Sequence, residues 1–128
     1  MTLYHFCADK HVKNILRKGL IMGGVTELTT QGYIIHSGWN WLTLNGNPKE
    51  QTWEGHTLIP CSRTAWRLTI EIPDDELDRL HDKEMLLALY PSASMLFRGH
   101  QGSDAWRVFR GMIPREWIKA ADDMRKEK

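Results

Sequence analysis

The first twenty residues restrict the fold more than any other stretch of the chain. Thr2–Cys7 (TLYHFC) alternates as a strand does, with Leu3, His5 and Cys7 on one face and Tyr4 and Phe6 on the other. Asp9 stands where a helix N-cap belongs. Val12, Ile15, Leu16 and Leu20 then recur at helical spacing, and Gly19 takes the position of a left-handed C-cap. The pattern predicts a central strand packed against a helix over Lys10–Lys18, with Val12, Ile15 and Leu16 buried against the sheet.

The rest of the chain adds strands more readily than helices. Gly23–Gln31 reads as a loop, Tyr33–His36 as a short strand, and Trp39–Leu44 as a strand stopped by the turn residues Asn45–Pro48. Pro48–Ser62 has little periodicity and reads as a structured surface loop. Thr64–Ile72 alternates cleanly, with Trp66, Leu68, Ile70 and Ile72 opposed to Arg67, Thr69 and Glu71. Asp74, Asp75 and Glu76 place negative charge at the start of a helix that runs unevenly to about Leu89, with a break near His81–Lys83. Trp106–Phe109 and Trp117–Ala121 are the last strands. Strands and helices do not alternate regularly, so the expected class is α+β with a mostly antiparallel sheet. Residues 1–121 read as one domain and residues 122–128 as a charged, frayed tail.

Composition excludes several classes. A chain of 128 residues with 41% apolar content can bury a core without staples. Seventeen basic against sixteen acidic residues leave a charge of +1, too balanced for a protein that coats nucleic acid, although a local basic patch is compatible with it. Two cysteines make no disulfide framework. The lack of a membrane-length apolar run or a signal-peptide pattern gives the cytoplasm as the expected location, with no membrane partner.

The candidate chemistry is sparse. His5, Cys7 and His11 are metal-ligand types, but no second tightly spaced pair accompanies them, so no metal is expected. A Cys7–His nucleophile pair lacks any local group to activate the thiol. Six tryptophans are unusual for this length. Trp66, Trp106 and Trp117 read as core, and Trp39, Trp41 and Trp53 as candidates for ligand contact. Arg63, Arg98, Arg107 and Arg110 include candidate partners for a pyrophosphate.

Tyr4-His5-Phe6-Cys7, followed by His11, Ile15-Leu16 and Gly19-Leu20, resembles the opening of the ADP-ribosyltransferase fold. RNA 2′-phosphotransferases and DNA-targeting ADP-ribosyltransferase toxins share that opening. Trp41-Leu42-Thr43 and Trp106-Arg107-Val108-Phe109, with Ile113-Pro114, resemble later strands of the same fold. The resemblance implies a bent, split, mostly antiparallel sheet with NAD⁺ as cofactor in its cleft. It assigns His5 to the ribose hydroxyls and Phe6 to the nicotinamide clamp. Cys7 stands where Thr or Ser is usual. Trp41 and Thr43 match the second conserved strand, Tyr33 is a further stacking candidate, and Arg63 or Arg110 would hold the pyrophosphate. The family's acid stabilises charge that appears on the ribose as nicotinamide leaves. In the family register its position falls on Ala105, with Asp104 one residue earlier as the candidate acid if the strand end re-aims it.

Two readings follow from the resemblance. One is an NAD-dependent transferase that passes ADP-ribose, or a related phosphoryl group, to a macromolecular acceptor, with His5 and Asp104 as its catalytic residues. The other is an inactive binding protein on the same scaffold, of phage or mobile-element type, that sequesters an ADP-ribose-like nucleotide or blocks a protein target.

Overall fold

A computed structural model describes residues 1–21, 23–50, 64–97, 100 and 102–126. Thr2–Cys7 forms β1 and Asp9–Lys18 forms α1. A hairpin of β2 (Gly24–Thr29) and β3 (Gly32–Ser37) leads into β4 (Trp39–Thr43). Strand β5 spans Trp66–Glu71, the two-residue β6 Leu80–His81, α2 Lys83–Leu89, β7 Trp106–Arg110 and β8 Ile118–Asp123. Six strands make one sheet in the order β6-β7-β4-β1-β5-β8, and β2–β3 stands apart as a two-stranded sheet. Every strand pairing among the described residues is antiparallel. The class is α+β with a mostly antiparallel sheet, as the sequence predicts.

Both faces of the large sheet are covered. On one face Leu3, Cys7, Leu42, Leu68, Ile70 and Phe109 pack with Val12 and the half-buried Ile15 of α1. On the other, Val108 and Trp39 pack with Val25 of the hairpin, Leu86 of α2, and Ala93 and Phe97 of the segment after it. Each fully buried aliphatic side chain contributes about 1.5–3 kcal/mol.

Strand β1 is central, and its two neighbours treat it differently. It pairs with β5 continuously, from Thr2 opposite Glu71 to Cys7 opposite Trp66. With β4 it shares a single pair, Tyr4 opposite Thr43. The sheet is therefore open between β1 and β4 over most of their length.

Several expectations are corrected. Gly24–Thr29 is a strand, not a loop; only Val25 is buried in it, so it carries no two-residue apolar alternation. Leu16 is exposed, because the buried stripe of α1 runs through Val12 and Ile15 and Leu16 lies one step around the helix. Asp9 opens α1 without capping it. Its carboxylate instead accepts from the Trp66 indole at 2.7 Å and from Arg125 at 3.2 Å. The region from Asp74 is a 3-10 turn over Asp74–Arg79, then β6, then α2, whose start is capped by Asp82 accepting from the Met85 amide at 2.9 Å. The C-terminal boundary also moves: β8 runs to Asp123, and Met124 is buried with its amide donating to the Ala65 carbonyl. No helix among the described residues is long and apolar enough to cross a membrane.

Candidate functional site

The opening between β1 and β4 holds a cavity of about 420 Å³. That volume falls within the range of small-molecule sites. Tyr4, His5 and Phe6 line it from β1, and Asn40, Trp41, Leu42 and Thr43 from β4. Gly23, Gly24 and Thr26 line it from the hairpin side, and Leu96, His100 and Trp106 are the other lining residues among those described.

His5 bridges the opening. Its Nδ1 lies 2.9 Å from the Trp41 carbonyl oxygen. A carbonyl only accepts, so Nδ1 carries the proton and donates. Burial pushes the His5 pKa below its ordinary value, and the bond to Trp41 opposes this only in part. The neutral imidazole then keeps a lone pair on Nε2, which makes His5 an acceptor for a ligand hydroxyl or amide N–H.

The aromatic wall is held in place by its own polar atoms. The Trp41 indole N–H donates to the Gly24 carbonyl at 2.9 Å. The Trp41 and Trp106 rings stand at 86° with centroids 6.0 Å apart, and Phe97 packs on both. His100 lies 5.3 Å from the Trp106 ring. Gly23 permits the hairpin to approach β4: a Cβ there would lie 2.1 Å from the Trp39 carbonyl oxygen. Asn40 is buried but satisfied, donating to the carbonyls of Leu20 at 3.2 Å and Gly111 at 2.8 Å. Thr43 Oγ1 accepts from the Asn45 amide at 3.1 Å and still has its hydroxyl proton to give.

Of the residues singled out from the sequence, His5, Phe6, Trp41 and Thr43 meet at this cavity. Others lie elsewhere. Cys7 packs into the closed face with Leu3, and burial, helped by nearby Asp9, pushes its thiol up to about 11. Tyr33 sits on β3, 66% exposed, opposite Leu28. Trp39 is buried and donates to the Tyr90 hydroxyl at 3.3 Å. Arg110 is exposed opposite Trp39, and its carbonyl accepts from Arg79 at 2.9 Å. Trp53, Arg63 and Arg98 lie outside the described residues. Asp104 is in a 3-10 turn before β7, not at the cavity wall; its side chain is 96% exposed and 4.0 Å from the Lys83 ammonium.

Among the described lining residues none carries a carboxylate, a guanidinium or an ammonium group. The described lining residues offer hydrogen bonding and ring contact. No group of three His, Cys, Asp or Glu side chains among the described residues is placed to hold a metal ion.

Sequence reasoning missed Gly23, Gly24, Thr26, Asn40, Leu96 and His100; Trp106, read as core, packs against the second core cluster and also lines the cavity. The adjacent glycines were the available signal, since a glycine pair flanking a strand marks a close backbone approach. Comparison with protein-family models, with curated proteins and with solved structures found no match.

Proposed function

We propose that the chain is an ADP-ribosyltransferase-like protein whose cavity takes the nicotinamide–ribose end of NAD⁺. The observation that carries this reading is the open β1–β4 seam, with a neutral His5 at its centre and Trp41 beside it. His5 offers an acceptor to a ribose hydroxyl. Trp41 and Trp106 offer ring faces to a planar heterocycle. The Thr43 hydroxyl and the backbone of Gly23–Gly24 offer polar contacts to an amide. When bound, NAD⁺ supplies a transferable ADP-ribosyl group, and a macromolecule would accept it. The residues here hold and orient.

Binding is the part of this reading that the geometry supports best. The second reading, sequestration of a nucleotide without turnover, is favoured by the described cavity wall, which bears no carboxylate, and by the position of Asp104 away from it.

Calorimetric titration with NAD⁺, run beside an assay for released nicotinamide, tests both. Saturable binding with His5→Ala weakening it supports the site. Nicotinamide release selects the transferase, and binding without release selects sequestration. The lack of any binding overturns the proposal.

A further inference from the structure

The net charge of +1 conceals an uneven distribution. Residues 10–18 hold Lys10, Lys13, Arg17 and Lys18 and no carboxylate, whereas residues 71–84 are rich in Asp and Glu. All four cations are exposed on α1. Among the described residues none of them makes an ion pair. The one carboxylate of α1, Asp9, is at its first residue and is engaged by Arg125 and the Trp66 indole. Lys10, Lys13 and Arg17 recur at spacings of three and four, which aligns them in a stripe about 10 Å long. Arg115 continues the patch: its Nη1 donates to the Arg17 carbonyl at 3.4 Å, and its Nε lies 3.5 Å from Glu116.

We propose that this exposed face of α1 docks on the phosphate backbone of a nucleic acid. Charge complementarity carries the assignment. Four exposed cations on one short rigid helix, three of them in a single stripe and none ion-paired among the described residues, meet a polymer with one phosphate charge per about 1.7 Å of duplex axis. A membrane surface is the poorer match, because Val12 and Ile15 are committed to the core and Leu16 alone is an exposed large apolar side chain of α1. The contact is to backbone and not to bases, so it is indifferent to sequence. The inference stands on the helix and does not rest on the reading of the cavity.

Fluorescence anisotropy with two short labelled DNA duplexes of unrelated sequence, at salt from about 50 mM to about 200 mM, tests it. The expected result is equal binding to both, with log K falling against log salt at a slope of about −3.6, or 0.9 for each of four phosphates. A Lys13→Gln/Arg17→Gln variant should lower the slope magnitude by about 2. Both side chains are exposed, so its circular dichroism and thermal midpoint should match those of the parent. The proposal is overturned by no binding at the lowest salt, by an unchanged slope in the variant, or by binding to anionic vesicles in preference to DNA.

Discussion

The two seams of β1 differ in a way that explains where a ligand can go. Towards β5 the backbone pairs from end to end, and Leu3, Leu68 and Ile70 are wholly buried along it. Towards β4 a single residue pair forms, and the separation is spanned by the His5 side chain instead of by amides. Complete pairing leaves no room and no unused polar groups. Incomplete pairing leaves both, and rings from Trp41 and Trp106 line the space. One strand thus contributes to a sealed core on one side and to a lined cavity on the other.

Perturbing the sealed seam should have the largest effect. Leu68→Ala removes a fully buried side chain and should cost about 2–5 kcal/mol in chemical denaturation. A loss near zero would mean that this seam is not the tighter one. On the open seam, Trp41→Phe keeps a ring but leaves the Gly24 carbonyl without its donor. That change should cost about 1–3 kcal/mol, and it should weaken NAD⁺ binding relative to the parent.

His5 sharpens the contrast through pH. Its folded pKa is depressed below 6.5, chiefly by burial. Unfolding lets the imidazole take up a proton below that pH, so its contribution to stability is complete above about 6.5 and is lost as pH falls below it, until the folded imidazole itself is protonated. Thermal melts across this window should show the midpoint falling with pH, with a shallower fall in His5→Gln. Some slope should persist, because His81 is also depressed, first by burial and then by Arg110. On the sealed face, the Cys7 thiol is pushed up to about 11, so its peptide should resist alkylation in the folded protein at neutral pH and react on unfolding. The smallest effect belongs to Asp104→Ala. With its side chain 96% exposed and away from the cavity, the change should leave the thermal midpoint and NAD⁺ affinity within experimental scatter.

The contrast between seams also marks what a sequence can disclose. β1, β4, β5 and β7 were legible because apolar alternation and turn residues such as Asn45–Pro48 record them directly. His5 was assigned to the cofactor only through the family resemblance, and Trp41 both through it and as a tryptophan of a legible strand. β2 was not, because a hairpin with one buried residue leaves no periodic trace. Nothing local distinguishes Trp39, which is buried, from Trp41, which lines the cavity; their difference arises from the approach of Tyr90 to one and of Gly24 to the other. Asp104 drew notice by its nearness to a register position, but the turn before β7 sends its carboxylate outward to Lys83.

The most direct test of the account uses the tryptophans as reporters of the two seams. Indole N–H signals can be followed by two-dimensional NMR as NAD⁺ is added. Trp41 and Trp106 border the open seam, while Trp66 lies opposite Cys7 on the sealed one and Trp117 packs on Phe109. The account predicts that the Trp41 and Trp106 signals shift to saturation while those of Trp66 and Trp117 stay in place. Shifts confined to Trp66 and Trp117, or no shift at any indole, would contradict it.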